Sequence, residues 1–115
     1  MSSTPRFLQG AYRFTGTGLE KPTVIEGLES YTVPDGSRAQ AVYFRGGNST
    51  PEMVSVVLLR DGVPMRWFPI AAAGSTHVPL RIVEDLEAPA TIELRVAAPE
   101  GLSGTVVVDL GLVEV

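Results

Sequence analysis

The chain has 115 residues, 44% of them apolar and 19% charged, with a net charge of −4 and no cysteine. That length suits one domain with a single core, and missing thiols exclude disulfides, thiolate metal sites and a cysteine nucleophile. The acidic balance opposes the positive field a nucleic-acid partner needs. Proline, glycine or charge also interrupts every apolar run short of the roughly 20 residues of a membrane helix.

Residues 1 to 5, MSSTP, are small and polar and are expected to form a loose arm. From Arg6 to Phe14 apolar and polar residues roughly alternate, with Leu8, Gly10, Tyr12 and Phe14 on one side, which predicts a first strand. Gly16-Thr17-Gly18 is a turn, and Thr23 to Gly27, just after Pro22, reads as an edge strand or bracing arm because proline donates nothing to a sheet ladder. Tyr31-Thr32-Val33 runs into a Pro34-Asp35-Gly36-Ser37 turn. The next strand, Arg38 to Arg45, is expected to put Ala39, Ala41 and Tyr43 on one face and Phe44 on the other. Gly46 to Pro51 then reads as a loop.

Met53 to Ile70 reads as a hairpin turning at Arg60-Asp61-Gly62, where the Asp-Gly pair tolerates a left-handed backbone. Its first arm is apolar on both faces, as in a central strand. Ala71 to Thr76 is a connector of small residues, and His77 to Val83 alternates with Val78, Leu80 and Ile82 on one side. Leu80 to Ala88 also offers an amphipathic helical turn as a rival. Ala90 to Val96 has one apolar and one polar face, and Thr105 to Val113 is a β-branched run. Seven to nine short strands separated by turns predict a single antiparallel β-sandwich or jelly roll.

No motif for catalysis or metal binding emerges, so no catalytic residue, metal ligand or cofactor is assigned and the chain is not expected to be an enzyme. His77, the only histidine, stands two residues from Ser75 without a Gly-x-Ser-x-Gly elbow. Glu84, Asp85 and Glu87 lack the ligand spacing of a calcium loop and read as a solvated turn. Arg66, Trp67 and Phe68 are the candidate interface, since a strand would place Arg66 and Phe68 outward as an Arg-aromatic anchor. Tyr12, Tyr43 and Trp67 are the alternative candidates, as aromatics lining a shallow sugar site.

The segment Tyr31 to Ser49, YTVPDGSRAQAVYFRGGNS, resembles small all-β virion proteins of tailed phages, of the head-decoration or tail-associated type. That resemblance implies a non-enzymatic subunit that self-associates or docks on a particle, and with it a place in a virion.

Charge is sparse beside the about 25% of an average soluble domain, so some apolar surface is expected to face another chain. The leading expectation is therefore a structural or accessory subunit acting through protein contacts, as a homo-oligomer or in a larger assembly. A ligand- or carbohydrate-binding module is the alternative, and a non-catalytic subunit of an enzyme complex the second. The opening MSSTPRFLQG has no basic segment followed by an apolar one, which predicts no secretory leader and a cytoplasmic protein.

Overall fold

The computed structural model describes residues 3–115. It is all β: ten strands in two antiparallel five-stranded sheets, with no helix among the described residues. In chain order these are β1 (Thr4–Thr15), β2 (Gly18–Val24), β3 (Tyr31–Thr32), β4 (Arg38–Asn48), β5 (Val54–Arg60), β6 (Val63–Ile70), β7 (Ser75–Pro79), β8 (Leu86–Glu87), β9 (Thr91–Ala98) and β10 (Ser103–Glu114). One sheet runs β1-β10-β4-β7, with β8 also on β4. The other runs β2-β9-β5-β6, with β3 also on β9. The sandwich predicted from the turn spacing is present, and the helical rival at Leu80 to Ala88 is replaced by a loop and β8.

A shared core of buried side chains fills the space between the sheets, drawn from alternate residues of the long strands: Leu8 and Phe14, Ala39, Ala41 and Phe44, Val56 and Leu58, Ile92, Leu94 and Val96, Val106, Val108, Leu110 and Leu112. β5 is the central strand expected, buried from Val54 through Leu59 on both faces. Part of the expected N-terminal arm is ordered instead, because Thr4 and Pro5 lie opposite Glu114 and Val113 in the β1–β10 ladder. Met1 and Ser2 lie outside the described residues.

The β4 strand runs three residues beyond the expected end at Arg45. Gly46 faces inward there, where a Cβ would come within 2.8 Å of Ile70 and Phe44. Asn48 then anchors the crossover to β5. Its amide donates to the carbonyls of Glu52, Ile70 and Ala71, and its oxygen accepts from the backbone and hydroxyl of Thr50.

Two register shifts decide which aromatics face water. The β10–β4 ladder pairs Gly111 with Tyr43 and Leu112 with Ala41, so Val42 is an extra residue on β4. Such a bulge reverses the alternation. Phe44 therefore joins Ala39 and Ala41 inside and Tyr43 faces out, whereas strict alternation grouped Tyr43 with Ala39 and Ala41 and put Phe44 on the other face. The β5–β6 ladder skips Met65 in the same way, pairing Leu58 with Arg66 and Leu59 with Pro64.

Candidate functional site

The outer face of the β1-β10-β4-β7 sheet carries three rows of side chains in register. Phe7, Gly111, Tyr43 and Pro79 form the first, Gln9, Asp109, Arg45 and His77 the second, and Ala11, Val107, Gly47 and Ser75 the third. Each row crosses four strands, about 14 Å at the usual interstrand spacing. The third row is built of small or short residues and forms the floor of a shallow depression beside the bulkier polar second row; Arg45, Ser75, His77, Val107 and Asp109 line it.

Tyr43 is held in place from three sides. Its ring lies over Gly111, where a Cβ would sit 2.0 Å from Cε2. Its hydroxyl donates to Asp109 Oδ1 at 2.9 Å, and the Arg45 guanidinium stands 5.4 Å from the ring centroid. The edge of His77 meets the ring nearly at right angles, with centroids 6.3 Å apart. Asp109 Oδ2 accepts from Arg45 Nε at 3.2 Å and Nη2 at 2.8 Å, so both carboxylate oxygens are engaged and neither orients His77. Burial, and then the hydrogen bond to Asp109, push the Tyr43 phenol above its ordinary pKa, while the same carboxylate raises Arg45.

This arrangement presents a fixed aromatic surface, a neutralised ion pair with spare hydrogen-bonding capacity, and the polar tips of Gln9, Ser75 and His77. Ser75 and His77 share the outer face of β7, as two residues apart on a strand must. Among the described residues, no group of three or more His, Asp or Glu side chains is placed to hold a metal ion. Nor is any helix long and apolar enough to cross a membrane.

The aromatics proposed for a sugar site do not converge. Tyr43 is on this outer face, but Tyr12 lies on the inner side of β1, packed against the core margin with its hydroxyl donating to the Gln9 carbonyl at 3.2 Å. Trp67, 45% exposed, projects from the outer face of the other sheet. The candidate interface is corrected as well. Phe68 is 3% exposed and stacks on Phe44 at 4.4 Å between centroids, and Arg66 shares its side of β6 and is ion-paired with Glu84 at the open margin of the sandwich. Only Trp67 of that trio is outward. The bulge at Met65 is the cause, because it exchanges the faces of the residues after it.

Arg45, Asp109 and Gly111 were not singled out from the sequence. A faint signal was available in Thr105 to Val113, where Val107, Asp109 and Gly111 occupy alternate positions of one face. A glycine inside such a run marks a place where something approaches the backbone closely.

No family profile matches the chain, and no curated protein matches it. Among solved structures it is similar to the CBM36-1 domain of a multidomain xylanase from the hindgut metagenome of Trinervitermes trinervoides. The likeness covers 96% of each chain at a TM-score of 0.59 and 18% sequence identity. It extends over the whole sandwich, and the shared property is the fold. The expectation of a structural or accessory subunit built for protein contacts is overturned by this finding.

Proposed function

We propose that the protein is a non-catalytic carbohydrate-binding β-sandwich whose site is the Tyr43 face. The observation that carries this reading is the Tyr43 ring, laid over Gly111 and fixed by Asp109 and Arg45 on an open sheet surface. A pyranose ring has an apolar face of C–H groups and an equatorial rim of hydroxyls. It fits a surface that pairs one rigid aromatic with a few fixed donors and acceptors. Fixing the ring before binding also reduces the ordering cost of association. The fold likeness to a carbohydrate-binding module supports the same reading across the full chain. Arg45 and Asp109 offer hydroxyls both a donor and an acceptor, and their charges cancel, which suits an uncharged glycan.

The test is binding of the purified protein to soluble xylan, mixed-linkage β-glucan and galactomannan by affinity electrophoresis and calorimetry. Saturable binding to one of them, weakened about tenfold in Tyr43→Ala (about 1.4 kcal/mol), is the expected result. Failure to bind any of the three, or binding untouched by that substitution, overturns the assignment.

A further inference from the structure

The opposite sheet carries the same combination of groups. On its outer face the register aligns Trp67, Val57, Arg95 and Val24 across four strands, with Pro64, Leu59 and Glu93 in the adjoining row. Arg95 and Glu93 form a two-pronged ion pair, Nε to Oε2 at 3.2 Å and Nη2 to Oε1 at 2.9 Å. Beneath them Val57, Leu59 and Ala97 form a small buried cluster separate from the main core, although they point away from it. The floor of this face is thus closed and apolar. Trp67 and Val24 stay exposed at the two ends of the row.

Each outer face therefore carries a water-facing aromatic and an Arg–carboxylate pair made within the sheet: half-buried Tyr43 against Arg45 and Asp109, and exposed Trp67 with Arg95 one strand further on, across Val57, and Glu93 in the adjoining row. The two charges in the rows around Trp67 cancel, which complements an uncharged, hydroxyl-rich partner and offers nothing to a polyanion. Trp67 is the only tryptophan in the chain.

We infer that the Trp67 face is a second glycan-binding surface, so that one molecule takes two segments of an uncharged polysaccharide on opposite sides of the sandwich. This inference rests on the carbohydrate reading of the Tyr43 face. In it, Trp67 stacks on a sugar ring while Arg95 and Glu93 hydrogen-bond the hydroxyls of a neighbouring unit. Two faces on one rigid body also convert the second binding event on a long chain into a local one, raising avidity for polymer over oligomer.

The experiment follows Trp67 emission and its quenching by iodide while xylohexaose, cellohexaose and mannohexaose are titrated into wild type, Tyr43→Ala and Trp67→Ala, with calorimetry for stoichiometry. Expected are two sites in wild type, a retained and saturable emission change with protection from iodide in Tyr43→Ala, and one site in Trp67→Ala. One site in wild type, with Trp67 emission and iodide access unaltered at saturation, overturns the second surface and leaves the Tyr43 reading intact. No binding by any of the three proteins overturns both. Light scattering on wild type gives a further check that needs no variant. A concentration-dependent dimer that shields Trp67 from iodide would show that another copy of the chain covers this face, and would overturn the inference.

Discussion

The ring of Tyr43 occupies the space that a side chain at Gly111 would fill, with Cε2 only 2.0 Å from the position of that missing Cβ. Gly111 has an ordinary extended backbone and no conformational need to be glycine, so its role is to leave room. Gly111→Ala is expected to swing the half-buried Tyr43 ring off the sheet and break its bond to Asp109 while the ladder stays intact. Binding to whichever glycan the wild type takes should fall about tenfold, or about 1.4 kcal/mol, with a Tm change of only a few degrees. A variant that binds as wild type does would show that the seating of the ring is irrelevant to the site.

Asn48 is the polar centre of the β4–β5 crossover, and its side chain is buried with every hydrogen-bonding atom engaged. Asn48→Ala leaves the buried Thr50 amide without its acceptor and takes a donor from three carbonyls, of which Glu52 keeps the Thr50 hydroxyl and Ala71 the Gly74 amide, a loss of about 2–3 kcal/mol by the usual cost of unsatisfied groups. For a domain of this size that corresponds to a fall in Tm of about 10 °C. Asn48→Asp should be worse, since a carboxylate accepts hydrogen bonds but cannot donate to three carbonyls. Thermal denaturation followed by circular dichroism decides the order, and an aspartate variant as stable as wild type contradicts it.

Stability should depend on pH through Glu114. This side chain joins the two sheets at one end of the sandwich, accepting from Arg6 Nε at 2.8 Å and from the Tyr31 hydroxyl. The hydrogen bond from Arg6, then that from Tyr31, hold its pKa below the ordinary glutamate value. The folded protein therefore binds this proton less readily than the unfolded chain. The contribution is complete above the unfolded pKa near 4.5 and is lost as pH falls through the lower folded value. Tyr31 works in the other direction, its pKa raised by burial first and then by the bond to Glu114, so its contribution is complete below pH 10.0 and declines as pH rises beyond it. Glu114→Gln is expected to flatten the acid limb of a Tm-against-pH curve between about pH 5 and 3. An acid limb identical to wild type would assign that loss to other carboxylates.

The two-sheet architecture was legible because its signals are local. Turn clusters sit at short intervals, Ile92, Leu94 and Val96 alternate cleanly, and Val54 to Leu59 is apolar on both faces but for Ser55, as in a strand covered on both sides. The site was not legible to the same degree, because it depends on two extra residues. Val42 and Met65 are each unpaired in their ladders, and each exchanges inside for outside in everything beyond it. Strict alternation therefore kept Tyr43 on the same face as Ala39 and Ala41 and turned Phe68 outward with Arg66. A bulge costs little locally and has no distinctive residue type here, so only the partner strands reveal it. The pairing of Tyr43 with Gly111 has the same origin, since it joins residues from two strands far apart in the chain.

The exchanged faces of β6 give the sharpest test of the packing. Phe68 stacks on Phe44 at an interplanar angle of 8° in the middle of the core, whereas its neighbour Trp67 is outside. Phe68→Ala removes a buried ring and leaves a cavity, at a cost of about 3–5 kcal/mol, a large share of the roughly 5–15 kcal/mol that stabilises a domain. Trp67→Ala removes a larger side chain yet should cost well under half as much, because almost half of it is already in water. Val56→Asp, inside and opposite Phe68, strands a carboxylate in apolar surroundings and should leave no soluble folded protein. Urea denaturation of the first two and the soluble yield of the third measure this ranking. If Trp67→Ala proved the more damaging of the neighbouring pair, the bulge at Met65 would be misplaced and the outer face of that sheet would have to be redrawn.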